Sequence, residues 1–214
     1  MKKIFLGFLT ALSICTSIHA ENVSSNETTE NEHSTVKVLV IGLHDNVSSN
    51  YFPESMITEE TGIPEESIDS TYNQIITRNI IETNKDKHIV FIDSKGLDGI
   101  IGNMINDITL TGNNEEQYAD LSHIESKDYH NLLDNAHADY LLILNQHYLK
   151  WQEKPLRTLF HFVSYSLFDK SQQEITKGNN YFTCMNLEKA DKLMKASKKS
   201  SSKIALSITK NIDK

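Results

Sequence analysis

The chain has 214 residues, with 21 Lys and Arg against 29 Asp and Glu and a formal net charge of −8. Apolar residues make up 38 % of it, and it holds only 8 Gly, 3 Pro and 2 Cys. These values exclude a disulfide-stapled scaffold, a collagen-like chain and a multi-pass membrane protein. The acid surplus argues against a dedicated nucleic-acid binder, whose phosphate contacts need excess Lys and Arg.

Lys2 and Lys3 precede an apolar run, Ile4 to Ile14 (IFLGFLTALSI), and Ala20 then offers a small residue before Glu21. Charge, apolar run and small residue in that order are the pattern of a secretory signal peptide, expected over residues 1–20. The run is too short to span a bilayer, which takes ~20 residues. Leu12-Ser13-Ile14-Cys15 also resembles the bacterial lipobox, although Ile14 is bulky where a small residue is usual. Cleavage after Ala20 is the expectation, giving a periplasmic or secreted protein. Lipidation of Cys15, giving a membrane-anchored lipoprotein, is the alternative, and membrane association is expected only in that case. Loss of residues 1–20 removes Lys2 and Lys3 and no acid, so the 21 basic residues fall by two to 19 against 29 acids. The lone cysteine left, Cys184, reads as a small core residue.

Residues 21–35 (ENVSSNETTENEHST) hold one strongly apolar side chain, Val23, and are expected to be a disordered linker. Asn-x-Ser sequons at Asn22 and Asn46 and an Asn-x-Thr sequon at Asn26 matter only in a host that glycosylates asparagine. Residues 36–214 are expected to form a single α/β domain. Val36 to Leu43 is a near-continuous β-branched run, the pattern of a strand buried on both faces. Asn46 to Ser70 carries Pro53, Gly62 and Pro64 and cannot be one regular element. Thr71 and Gln74 are placed as a capping box, and Tyr72, Ile75, Ile76, Asn79 and Ile80 follow at helical spacing. His88 to Asp93 reads as a second buried strand. Ile100, Ile101, Met104, Ile105 and Ile108 mark a second helix. Residues 111–127 read as a polar loop. Asp128 can cap a short helix that turns Tyr129, Leu132, Leu133 and Ala136 inward.

Asp139 to Trp151, Arg157 to Asp169 and Glu174 to Asn186 follow as three strands with short links, an antiparallel meander, the last interrupted near Gly178. Ala190 to Lys214 closes the chain as a helix. The expected order is β-α-β-α-α-β-β-β-α. Helical crossovers make the first three strands parallel neighbours, and the meander joins the same sheet. The expected fold is α/β (α+β), a mixed, roughly five-stranded sheet with helices on both faces.

Ala138-Asp139-Tyr140-Leu141-Leu142-Ile143-Leu144, the hairpin Ser166 to Ile175 and the first strand Val36 to Leu43 together resemble a group of envelope proteins. The group includes the TolB amino-terminal domain, the curli-secretion lipoprotein CsgG and lipoprotein activators of cell-wall synthases. The resemblance covers about residues 36–210 as a pattern; the insert at 46–70 is not part of it. It implies a non-catalytic binding or assembly module, so no catalytic residue is carried over.

The residues themselves give little sign of catalysis. Gly96, Gly99 and Gly102 open a helix after a strand, but G-x-x-G-x-x-G is neither the dinucleotide fingerprint nor a P-loop. His123, His130 and His137 are too far apart on one helix to share a metal, at ~10.5 Å between neighbours. His147 and His161 lie in long strands, on sides that depend on register. His44 and Asp45 end the first strand, where ligands often bind in α/β sheets. There is no G-x-S-x-G elbow. No catalytic residue, cofactor or metal is expected. On the last helix, Ala190, Leu193, Ser197, Ser201, Ile204 and Ile208 share one face, and Lys189, Lys192, Lys195, Lys199, Lys203 and Lys210 the other, solvated one.

The insert is the strongest functional candidate. It carries Glu54, Glu59, Glu60, Glu65, Glu66 and Asp69, no Lys or Arg, and the apolar Tyr51, Phe52, Met56, Ile57 and Ile63. Long loops in compact domains are usually functional or disordered. Tyr51, Phe52, Met56, Ile57 and the lone tryptophan, Trp151, are the expected partner-binding residues. The expected function is a non-enzymatic envelope module that binds an envelope protein or an assembly. The alternatives are a periplasmic hydrolase with scattered acidic residues, and a small-ligand binder near His44, Asp45 and Ser94.

Overall fold

The computed structural model describes residues 35–213. The expected signal segment 1–20, Cys15 and nearly all of the expected linker 21–35 lie outside the described residues, as does Lys214.

The central strand, β1 (Val36–Gly42), is buried along most of its length, as its β-branched run predicts. Parallel strands flank it: β3 (Ile89–Asp93) on one side and the 13-residue β6 (Tyr140–Gln152) on the other. Beyond β6 come the antiparallel β7 (Thr158–Asp169) and β8 (Glu174–Cys184). The sheet order is β3-β1-β6-β7-β8, a mixed sheet with parallel first strands and an antiparallel meander, as expected. Because β1 is only seven residues long, it pairs with β6 over Tyr140 to Leu144 alone. A short strand from the insert, β2 (Val47–Ser49), pairs with the next stretch, His147 to Leu149.

Successive side chains on a strand point to opposite faces. Val38, Val40, Leu142, Leu144, Leu149, Val163 and Leu167 face a first core cluster, built with α1 (Glu54–Thr61), α2 (Ile68–Thr83) and α5 (Ala190–Ile212). Leu39, Ile41, Leu141, Ile143 and Phe168 face a second cluster with α3 (Asp98–Ile105) and α4 (Ser126–Ala136). Helices therefore lie on both faces. On α2 the residues at helical spacing, Tyr72, Ile75, Ile76, Asn79 and Ile80, are all buried. Asn79 crosses to α5, its Nδ2 donating to the Met194 carbonyl at 2.8 Å and to Ser197 Oγ at 2.9 Å. No helix among the described residues is long and apolar enough to cross a membrane.

Several local expectations are corrected. The insert is ordered: it forms β2, α1 and a 3-10 turn at Glu65–Ser67. Residues 111–127 are largely not loop, because β4 (Thr109–Asn113) and β5 (Glu116–Asp120) make a hairpin. That hairpin is held on the sheet by polar contacts, which leave no apolar alternation to read. Asn145 Nδ2 donates to the Gln117 carbonyl, Asn179 Nδ2 to the Glu115 carbonyl, and the Ala119 N–H to Ser166 Oγ. Thr71 and Gln74 form no capping box, since α2 already starts at Ile68. Ile108 lies beyond α3. The edge strand β3 is exposed at Val90 rather than buried on both faces. β8 runs unbroken through Gly178, where a Cβ would come within 2.6 Å of the Tyr165 hydroxyl.

The insert is tied to the core by a reciprocal amide pair. Asn46 Nδ2 donates to Asn73 Oδ1 (3.0 Å), and Asn73 Nδ2 donates to Asn46 Oδ1 (3.2 Å) and to the Leu43 carbonyl (3.0 Å). Asn46 is buried, so its sequon is a structural residue here. Asn73 sits directly over Gly42, where a Cβ would approach its Cγ to 2.1 Å. Gly42→Ala must displace that latch, and overpacking of this kind costs about 1–3 kcal/mol. Urea unfolding should show such a loss for Gly42→Ala and a smaller additional loss when Asn73→Ala is added. Full additivity of the two would mean that the glycine is not there to seat Asn73.

Candidate functional site

Three of the five expected partner-binding residues, separated by a hundred positions in sequence, meet in space. Tyr51 and Phe52 follow β2, and Trp151 lies near the end of β6. Their ring centroids are 5.0 Å apart for Tyr51 and Phe52, 6.1 Å for Tyr51 and Trp151, and 5.7 Å for Phe52 and Trp151. Tyr51 is 59 % exposed, whereas Phe52 and Trp151 are half-buried and rest on the first core cluster.

The backbone fixes this cluster. After Ser49 the β2 ladder ends, and the Asn50 side chain continues it. Asn50 Oδ1 accepts from the Trp151 N–H at 2.7 Å, and its Nδ2 donates to the Trp151 carbonyl at 3.2 Å. Ser49 Oγ accepts from the N–H groups of Tyr51 (3.1 Å) and Phe52 (3.0 Å) and donates to the Leu149 carbonyl (2.8 Å). Pro53 then stands at the N-cap of α1, where its fixed φ suits the helix start. Sequence reading singles out the aromatics but misses Asn50, whose role depends on the strand beside it.

The remaining candidates divide. Met56 is exposed on α1. Ile57 does not: it is 1 % exposed in the first core cluster, because α1 turns Ile57 and Thr61 inward one helical turn apart. Glu54, Glu59, Glu60, Glu65 and Glu66 are exposed, and no Lys or Arg occurs between Lys37 and Arg78. Asp69 is structural, its carboxylate accepting from the N–H groups of Asp45 (3.0 Å) and Val47 (2.8 Å). The turn bearing His44 and Asp45 is thereby built into the scaffold. Ser94 accepts through its carbonyl from the Leu97 N–H in the turn before α3, in which Gly96 takes a positive φ of 85°. The lysines of α5 lie on its solvent side, and Leu193, Ser197, Ser201, Ile204 and Ile208 are buried.

Among the described residues no group of three or more His, Cys, Asp or Glu is arranged to hold a metal. His137 ends α4 in the left-handed region (φ 50°), and His130 Nδ1 contacts the Ser126 carbonyl. Cys184 is partly buried, and burial pushes its thiol up to about 11, as fits an inert packing residue. His147 and His161, whose orientation depended on register, both point into the first core face. The ring nitrogens His147 Nε2 and His161 Nδ1 lie 3.1 Å apart. His161 stacks on Phe182 at 4.5 Å, and Tyr72 meets the His147 ring edge-on at 4.7 Å. Burial drives the His147 pKa well below its usual value, with the neighbouring His161 adding to the shift, and holds His161 down to about 3.

No protein-family model matches the chain, and no curated protein matches it. Among solved structures it is similar to the PelC dodecamer from Paraburkholderia phytofirmans, at 9 % identity over 79 % of this chain and 86 % of that one, with a TM-score of 0.38. It is similar to lipoprotein GNA1162 from Neisseria meningitidis, at 10 % identity over 83 % and 98 %, with a TM-score of 0.39. The LpoB C-terminal domain from Salmonella enterica gives 9 % identity over 71 % and 85 %, with a TM-score of 0.31. These likenesses concern the general layout of helices and sheet, and no site residue or function is carried over from them.

The buried histidines make stability depend on pH. Their folded pKa values lie below the unfolded value of ~6.5, so on acidification the unfolded chain binds protons first and stability falls as pH drops through 6.5. Between pH 7.5 and 5.0 the two together should remove roughly 4 kcal/mol. The carboxylates held low by hydrogen bonds, such as Asp120 and Asp139, act in a more acidic window. Urea titrations at both pH values should show the loss in the parent, and a His147→Leu/His161→Phe variant should show little pH dependence. An equal slope in that variant would place the effect elsewhere.

Proposed function

We propose that this chain is a non-enzymatic module of the bacterial cell envelope that binds another protein through Tyr51, Phe52 and Trp151. The carrying observation is the aromatic cluster itself, gathered from distant positions and clamped by Asn50 and Ser49 with Tyr51 outermost. Aromatic side chains are enriched at interface hot spots, and a surface already rigid loses little entropy when it docks. The glutamates of the insert give the partner's contact segment a basic character by charge complementarity. Export rests on the signal-like pattern of residues 1–20, with mature residues starting at Glu21. The β1–β6 pairing and the β6–β7–β8 meander fit the TolB- and CsgG-like order of elements.

Tyr51→Ala should leave stability within ~0.5 kcal/mol of the parent, because the ring is mostly exposed. Adding Phe52→Ala should cost about 1–2 kcal/mol through partial loss of burial. A photocrosslinking residue at Tyr51, in cells, should give one discrete protein adduct, and Glu59→Lys with Glu60→Lys should reduce its yield. An adduct pattern matching that from a probe at the exposed Leu206, or one indifferent to charge reversal, would sink the reading. Intact mass of the mature protein tests the address separately: a chain starting at Glu21 is expected, and a lipid-modified Cys15 at the amino terminus would replace the soluble address by a membrane-anchored one.

A further inference from the structure

The two faces of the sheet are covered unequally. β6 and β7 have 13 and 12 residues, roughly 40 Å each at ~3.4 Å per residue. On the first face the 23-residue α5 is about 35 Å long, whereas on the second α3 and α4, with 8 and 11 residues, are only about 12 and 17 Å. The far ends of β7 and β8 on the second face carry aromatic side chains that belong to neither core cluster. Phe160 and Phe162 alternate with the inward His161 and Val163 and lie 6.0 Å apart, with ring planes 19° from parallel. Tyr181 on β8 sits 6.0 Å from Phe160 and 5.6 Å from Phe162 and is 57 % exposed.

The turn of the β4–β5 hairpin stands across from Phe162 and forms the wall of a cleft of about 710 Å³, lined by Asn114, Glu116, Tyr148, Phe162 and Asn179 among others. Its polar groups are available in part. Asn179 Nδ2 donates to the Glu115 carbonyl at 2.6 Å, and its Oδ1 is buried with no hydrogen-bond partner among the described residues. Glu116 makes no ion pair among the described residues, while the nearby cation, Lys150, is taken by Glu115.

The geometry points to a binding cleft for an uncharged saccharide. A wholly apolar ligand would strand the amides and the carboxylate, at the cost of their desolvation. An anionic ligand would meet Glu116 and find Lys150 already neutralised. A sugar ring supplies both chemistries at once. Its C–H face lies against the electron-rich face of Phe162, which lines the cleft, and a longer saccharide continues over the exposed Tyr181, 5.6 Å from Phe162. Its hydroxyls donate to the exposed Glu116 and accept from the Asn114 amide.

The full chain should be titrated with the neutral trisaccharides triacetylchitotriose, cellotriose and maltotriose, and with anionic trigalacturonate, by two-dimensional amide NMR. At least one neutral sugar should give saturable shifts confined to the Asn114 and Asn179 side-chain amides and the backbone of 160–162 and 179–181, and trigalacturonate none. Tyr181→Ala, at an exposed position, should keep the parent melting temperature and weaken binding roughly fivefold, the effect of one lost ring contact. Tyr51→Ala should leave sugar binding unchanged, which separates this cleft from the protein-docking surface on the other face. The proposal is overturned if no neutral sugar gives saturable shifts, if Tyr181→Ala binds with the parent's affinity, or if sedimentation shows a Tyr181-dependent dimer that occupies the surface instead.

Discussion

The architecture depends on a mismatch of strand lengths. β6 is nearly twice as long as the β1 strand beside it, so about half of its hydrogen-bonding edge needs another partner. Unsatisfied buried backbone groups are costly, and the chain answers with the insert. The insert leaves β1 through the Asn46–Asn73 latch, lays β2 along His147 to Leu149 and then hands the ladder to the Asn50 side chain. The aromatic cluster is a product of that repair, because the strand that completes the sheet also delivers Tyr51 and Phe52 to Trp151. On the opposite face the same overlong strands outrun their helices, and the β4–β5 hairpin fills part of the gap with amide contacts.

Polar side chains thus do work in this fold that apolar packing does elsewhere. Asn46, Asn73, Asn79, Asn145 and Asn179 each join elements distant in sequence through hydrogen bonds to backbone or to another side chain. Low apolar content is consistent with this. Two helices packed through Asn79 and the small Ser197 need less hydrocarbon between them than a leucine seam would. The paired histidines are the extreme case, their pKa values held down by burial.

Much of the fold is legible in the sequence, for identifiable reasons. β1 shows itself because Val38 to Ile41 are buried on both faces and must be apolar. α2 and α5 declare themselves through single buried faces at helical spacing. β2 is too short to show a period, and the β4–β5 hairpin is attached by Asn145, Ser166 and Asn179, residues that belong to other strands. The site is half-legible on the same grounds. Tyr51, Phe52 and Trp151 stand out by type, but their meeting depends on the β2–β6 register. Ile57 is misplaced because the helix that turns it inward is hidden among glutamates. Phe160, Phe162 and Tyr181 escape notice because an aromatic strand reads as core unless the reach of the covering helices is known.

The order of pairing in the sheet also sets the order in which it can form. The meander closes short loops, with Leu149 opposite His161 only twelve residues on, whereas Val38 must find Tyr140 across 102. Loop-closure entropy grows as the logarithm of the separation, which makes the second step dearer by roughly 2 kcal/mol before any contact is gained. Folding nucleated on β6–β7–β8 and α5 would therefore leave β1, with β3 beyond it, to dock late on the free edge of β6. Until it does, β6 is an open edge that offers its backbone groups to whatever strand arrives first.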